Sequence, residues 1–464
     1  MTTPAGSMRT APEESAPEES VPQNPVPGKP SPGRPPSGKP RALAALRTEL
    51  RRGVAPWTGL AVALTLLVPL GSKAAHWQGS WGETQTELHA AVTLLGGPLV
   101  AAAACWQGGR EHRRRTAELL LSVPRGRLAR VVTAMMPVVL WAAAGYLVAL
   151  AAVFAATAPY TGAGGPSLAI VATDLGFLLS VAPVGFVAGR LVRWRLTAPV
   201  LAAVLYVALG APGYLRTGAR FLSPAEQFSL EGSVPVWWFA PVLLAWTGGI
   251  GATVLLAYAA RRRLPVVVLP LVLTVAAGTV IARTGEDLFR DDPATTRKVC
   301  SKAAPGTPQI CLAAPDSPVL PRVAEALEGM FSRLEGVPGA PVRYVAPQYE
   351  PKDGEASLAH AVRGWGITRN RLTDPRAYAA NTALSLTARD CPDGEDRRTA
   401  GEADRMERTD DAVRSWLVDE ESPWYPESRR LARLEAMPDA DRRAWLGRYL
   451  ATRKSCTPAE VPAL

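Results

Sequence analysis

Seven apolar stretches, separated by connections that alternate between arginine-rich ones and ones that are uncharged or carry charges of both signs, constrain this chain more than any other feature. They lie at Trp57–Ser72, Ala90–Trp106, Val131–Ala158, Leu168–Gly189, Thr197–Pro212, Pro235–Ala260 and Pro265–Ala282. A helix crosses the hydrocarbon core of a bilayer in about 17–25 residues. Backbone polar groups left unpaired in hydrocarbon are costly, so runs of this kind read as transmembrane α-helices. Across the 464 residues, 48% are hydrophobic, but that average covers two unlike parts. An Ala/Val/Leu/Gly-rich part ends near residue 282, and a charged, polar part follows it.

Arginine near the end of a span resists translocation, so arginine-rich connections stay in the cytoplasm. The clusters fall at Arg110–Arg130, at Arg190, Arg193 and Arg195, and at Arg261–Arg263. These are the connections after the second, fourth and sixth spans. The fifth span is short, but without it the Arg261–Arg263 cluster would move to the other face. The opposite connections fit an outer face: Lys73–Leu88 carries Glu83 and Glu87 with Trp77 and Trp81, and Pro159–Ser167 has no charge. A bacterial cell-membrane protein is expected, with a cytoplasmic N-terminus and everything after residue 282 outside.

Cysteine placement agrees with this topology on separate grounds. Cys105 falls in a span, where a thiol is usually a small hydrophobe. Cys300, Cys311, Cys391 and Cys456 all lie in the polar C-terminal part. An even set confined to one region suits disulfides in an oxidising compartment, with three connectivities open. The pairing Cys300–Cys311 with Cys391–Cys456 is preferred, because the first two are close in sequence and flank a Pro/Gly-containing turn. A four-cysteine zinc site is disfavoured by the lack of any CxxC pair, and no metal or cofactor is expected.

Three domains follow. Residues 1–40 contain AlaProGluGluSer twice in tandem and then a Pro/Gly/Lys/Arg tract, a composition with little to bury and expected to be disordered. Residues 41–282 form an α-helical polytopic membrane domain, opened by a basic amphipathic stretch at Arg41–Arg52. Residues 283–464 form a mainly helical α+β extracytoplasmic domain. Within it, Val323, Leu327, Phe331 and Leu334 mark one face of a helix over Val319–Leu334, and Pro341–Ala346 reads as a strand. Further helices are expected over Pro375–Arg389, Asp404–Val418, Glu427–Ala436 and Asp439–Lys454.

Asp174 is the acidic residue well inside a span. An ionisable group there either marks a pathway or is held by a local partner. The C-terminal part has no HExxH, GxSxG or zinc-ligand cluster, and its one histidine, His360, has no evident nucleophile beside it. The net charge of +10 is explained by arginines flanking spans, and no nucleic-acid-binding motif is present.

The connection at Arg110–Arg130 carries the most specific pattern. Thr116–Val123 has a helical look, with Ala117, Leu120 and Leu121 on one face, and Pro124 ends it. The order acidic–basic–Thr–x–Glu–Leu–Leu–x–x–x–Pro–x–x–Arg resembles the cytoplasmic motif of ABC-2-type transporter permeases. Glu111, Thr116, Glu118, Leu119, Leu120, Pro124 and Arg127 match it position by position, while Arg115 stands where the family usually has glycine. The resemblance covers roughly residues 41–282. It implies a permease subunit, working as a dimer, whose 110–130 loop docks on a separate ATPase through Glu111, Thr116, Glu118, Leu120, Leu121, Pro124 and Arg127. No GxxxxGK[ST] phosphate loop occurs in the chain, so ATP hydrolysis would belong to that partner. The alternative class is a non-transport sensor or scaffold whose outer domain binds a partner or cell-wall material.

Overall fold

A computed structural model describes residues 50, 53–114, 126–226, 228–260, 263–389, 400–420, 424–426, 428–453 and 455–464. Residues 46–464 form one compact unit. The low-complexity stretch 1–40 and most of the basic amphipathic stretch lie outside the described residues.

Seven helices are long and apolar enough to cross a membrane, the mark of a multi-pass membrane protein. They are α1 (Ala55–Ser72), α2 (Trp81–Arg113), α3 (Arg127–Thr157), α4 (Leu168–Leu191), α5 (Thr197–Tyr214, its last turn 3-10), α6 (Phe239–Ala259) and α7 (Arg263–Thr284). Their outward faces carry the large apolar side chains that a soluble protein would bury. Trp57, Leu60, Leu64 and Val68 form an exposed stripe on α1, with Trp57 at 70% exposure. Val200, Val204 and Val207 do the same on α5, as do Val268, Leu269, Val272 and Val275 on α7. This inversion suits lipid as the surrounding solvent.

Inside the bundle, small residues set the approach of the helices, as expected where there is no hydrophobic drive between spans. Gly185 and Gly189 of α4 lie against the backbone carbonyls of Ala101 and Cys105 on α2, so a side chain at either would push the two helices apart. In the same way Gly145 of α3 sits on the backbone of Gly59 in α1. Gly251 of α6 packs on the backbone of Ser180 in α4. The bundle is therefore built from an α1–α3 pair and an α2–α4–α6 block, with α7 against α6 and α5 against α2.

Two expected boundaries need correction. The outer connection Lys73–Leu88 is not a loop: helix resumes at Ala74–Trp77, and α2 itself begins at Trp81. Ser80 caps that start, its hydroxyl accepting from the Glu83 amide at 3.3 Å, and the sequence SerTrpGlyGlu is the signature of a capping box. At the sixth span, helix begins only at Phe239. Ser233–Pro235 is instead strand β1, which pairs antiparallel with β2 (Phe289–Asp291) just past α7.

The C-terminal region is built around a four-stranded sheet in the order β3 (Lys298–Cys300), β4 (Gln309–Ala313), β5 (Arg343–Val345), β6 (Glu355–Ser357). β3 and β4 are antiparallel and joined by the Cys300–Cys311 disulfide, while β4, β5 and β6 run parallel. The crossover from β4 to β5 is α8 (Leu320–Leu334), as parallel pairing requires. α8 buries Val323, Leu327, Met330, Phe331 and Leu334, and Phe331 lies 5.0 Å from the Tyr344 ring of β5. Each such side chain contributes about 1.5–3 kcal/mol. A small hairpin of β7 (Ile367–Thr368) and β8 (Arg371–Leu372) leads into α9 (Pro375–Thr387), α10 (Ala400–Val418), α11 (Arg429–Ala436) and α12 (Asp439–Ala451). The helices surround the sheet and share its core with Trp416, Leu434, Trp445 and Tyr449.

Candidate functional site

The bundle has two ends, and every connection belongs to one of them. At the loop side lie the connections α2–α3, α4–α5 and α6–α7, where the arginine clusters occur. Of the expected docking residues, Thr116, Glu118, Leu120, Leu121 and Pro124 lie outside the described residues; Glu111 and Arg127 flank them and are described. Glu111, in the last turns of α2, makes a bidentate ion pair with Arg190 at the end of α4. His112 also hydrogen-bonds the Arg190 carbonyl at 3.0 Å. Arg127 opens α3 and places its guanidinium 4.9 Å from the ring centroid of Tyr258 on α6. Both flanks of the loop are thus fastened to other spans.

Asp174 is buried, at 1% exposure, on the second turn of α4. It is held by local partners: Oδ1 is 2.5 Å from Nδ1 of His89 on α2, and Oδ2 accepts from the Tyr146 hydroxyl of α3 at 3.3 Å. Sequence reasoning had weighed such pairing but had named neither partner. His89 was missed because it falls one residue before the apolar run, and Tyr146 because a tyrosine within a span gives no polar signal. Just past His89, α2 widens into a π-helical turn at Val92–Gly96. The Thr93 hydroxyl donates to the His89 carbonyl at 2.7 Å, supplying a partner where the helical ladder is disturbed. Gly96, Gly97 and Pro98 follow, so this is the stretch of α2 least committed to regular helix. Nearby, Gln85 exchanges hydrogen bonds of 2.9 and 2.7 Å with the backbone of Ser167, tying α2 to the start of α4.

At the domain side, the helix ends and the C-terminal region enclose a cavity of about 840 Å³. Lys73 and His76 reach it from the α1–α2 connection, and Glu83 and Glu87, one turn apart, from the start of α2. The segments just past β4, β5 and β6 form the opposite wall, so the carboxyl ends of all three parallel strands open onto it. Arg363, 8% exposed, hydrogen-bonds Asp316 and has Nε 3.5 Å from Glu231. Burial, with Glu231 nearby, pushes the Glu83 carboxyl up to about 7, while Arg363 pulls it down. Burial pushes the Asp316 carboxyl up from its ordinary value; Arg363 opposes that shift and Glu231 adds to it. Burial also raises the Tyr378 phenol on the cavity wall. His360 is an exposed member of the same wall. No local pattern announces this cavity, because its walls come from many segments far apart in the chain.

The remaining expected site residues are the cysteines. Cys300 and Cys311 are bonded to each other, Cys105 is free and buried, and Cys456 is disulfide-bonded. Cys391 lies outside the described residues, as do the acidic residues Asp390, Asp393, Glu395 and Asp396. Among the described residues, no group of three or more His, Cys, Asp or Glu side chains is placed to hold a metal ion. Comparison of the chain with family models, with curated proteins and with solved structures finds no match in any of the three.

Proposed function

We propose that the chain is the membrane subunit of an ABC-2-like exporter, coupled to a separate ATPase through the 110–130 loop on the cytoplasmic side. The observation that carries this reading is the anchoring of both loop flanks, Glu111 to Arg190 of α4 and Arg127 over Tyr258 of α6. A load applied to the loop therefore bears on four spans at once, α2, α3, α4 and α6. Below the π turn α2 is locked to α4 through Gly185 and Gly189; above it, His89 and Asp174 hold the same two helices together. α4 in turn bears on α6 through Gly251. Rotation of the loop is passed to the domain side by this block, while the π turn supplies the compliance that alternating access needs. The apolar face of Leu120 and Leu121 would fill a groove on the ATPase, with Glu118 and Arg127 at its rim.

The test is co-purification with the ATPase, preferably one encoded beside this gene. Replacing Leu120 and Leu121 by Asp should leave membrane insertion intact and abolish both recovery of the ATPase and stimulation of its turnover. Arg127→Ala should do less, since a rim charge acts mainly on association rate and salt dependence. Recovery of no ATPase with the wild-type protein would remove the transporter reading. A sensor or scaffold would then take its place, a reading favoured by the domain-side cavity.

A further inference from the structure

We infer that the α4–α5 connection, with the last residue of α4, is a binding surface for anionic phospholipid headgroups. The inference concerns the membrane itself and stands whether or not the chain transports. Only residues 192–196 lie between the end of α4 and the start of α5. Two spans joined so tightly hold their connection at the bilayer surface, whichever side that is. Leu191, Val192, Trp194 and Leu196 are all exposed there, Trp194 at 57%. Water is a poor neighbour for so many large apolar side chains in one short run. Tryptophan is favoured where hydrocarbon meets headgroups, because its ring is apolar and its N–H is polar. The membrane interface offers both surroundings at once.

Charge narrows the lipid class. Arg193 and Arg195 flank Trp194, and both are exposed. Arg190, just before them, is already paired with Glu111. Arg193 and Arg195, by contrast, have no side-chain hydrogen bond or ion pair among the described residues. Both line one cleft with Trp106, His112 and Arg113 of α2, and no described carboxylate borders it. His112 is engaged by the Arg190 carbonyl, and Arg113 lies over the Trp106 ring. The cleft measures about 30 Å³, far below the roughly 300–1,000 Å³ of small-molecule sites. It has room for one oxygen-sized group and for no whole headgroup. That suits a phosphate whose lipid stays in its leaflet, with its charge at Arg193 and Arg195 and its chains beside Leu191 and Leu196. A soluble anion would gain nothing from the apolar residues. A zwitterionic headgroup would bring an ammonium against a basic cleft.

The test uses the full chain in phosphatidylcholine nanodiscs doped with a photoactivatable lipid, either phosphatidylglycerol or phosphatidylcholine. The two probes have the same acyl chains and carry the reactive group at the headgroup. After irradiation, peptide mapping measures the lipid attached to residues 191–196. The phosphatidylglycerol probe should label this stretch at least about tenfold more than the phosphatidylcholine probe. Arg193→Gln with Arg195→Gln should remove that preference, about fivefold for each charge lost, at an unchanged melting temperature. Arg193→Lys with Arg195→Lys should keep most of it, because a phosphate also accepts a point charge. Inorganic phosphate in excess, at equal ionic strength, should displace neither probe. Equal labelling by the two probes, indifference to the glutamine variant, or displacement by inorganic phosphate would overturn the inference. So would loss of ATPase recovery in the glutamine variant with lipid labelling unchanged, which would assign both arginines to that partner.

Discussion

At the loop-side end of the bundle the charged side chains are arginines, met by a single described acid on α2; at the domain-side end carboxylates outnumber cations around a cavity open to water. The first arrangement leaves surplus positive charge in the open, facing headgroups and any partner that docks there. The second gathers carboxylates around a cavity that water still reaches, with the Glu231 and Lys73 side chains 47% and 59% exposed. Charge of opposite sign at opposite ends is what insertion bias alone would give. A cavity lined jointly by the spans and the C-terminal region is not. The comparison separates charge that sets topology from charge gathered around a cavity.

The largest effect expected concerns the buried pair just inside the domain-side end. Asp174→Ala strands the His89 ring in the bundle and should cost about 3–5 kcal/mol, read as a drop in thermal stability of the detergent-solubilised protein. The double replacement by leucine should recover most of that loss. A wild-type melt for Asp174→Ala would mean that the pair carries no structural load. Next, Cys300→Ala with Cys311→Ala opens a loop of sequence separation 11 and should cost about 3 kcal/mol. That loss should register in proteolysis of the C-terminal region before the spans respond.

The loop-side counterpart should be milder. Arg190→Met removes the partner of Glu111, but both side chains reach solvent, at 13% and 24% exposure, and the loss should be about 1–2 kcal/mol. If coupling runs through this pair, ATPase stimulation falls much further than stability does. Equal losses in the two readouts would demote the pair to a simple structural tie.

The smallest effect is an acid-limb change in the sheet. The Glu355 carboxyl is held below its usual value of 4.5, first by the Lys352 amide and then by Arg343. Its contribution to stability is fully present above pH 4.5 and disappears as pH falls through the lowered folded value. Glu355→Gln should therefore lower stability near neutrality and converge with the wild type in acid. Parallel pH curves would refute that assignment.

How much of this was legible in the sequence depends on how local the signal was. Helix periodicity and length set the seven spans and α8, because those patterns repeat within one segment. Arginine spacing sorted the connections between the two ends. The early start of α2 was legible as well, in Ser80 and Glu83, but the acidic look of Lys73–Leu88 obscured it. By contrast, the partnership of His89 with Asp174 joins residues far apart in sequence, and no local pattern announces it. The cavity is harder still, since Glu83, Glu231, Asp316 and Arg363 acquire meaning only when four segments converge. The Cys300–Cys311 bridge was readable from proximity alone, whereas the Leu120–Leu121 docking face rests on a resemblance and on its anchored flanks.

The sidedness of the two ends supports everything else, and single-cysteine labelling tests it directly. In a Cys105→Ala background, one variant carries Gly126→Cys, where a side chain meets nothing within 4 Å, and another carries Glu328→Cys on exposed α8. Intact cells are treated with a membrane-impermeant maleimide, then permeabilised and treated again. The account predicts that the cysteine at 328 reacts at once and the cysteine at 126 only after permeabilisation. Labelling of position 126 in intact cells, or of both positions together, would contradict it.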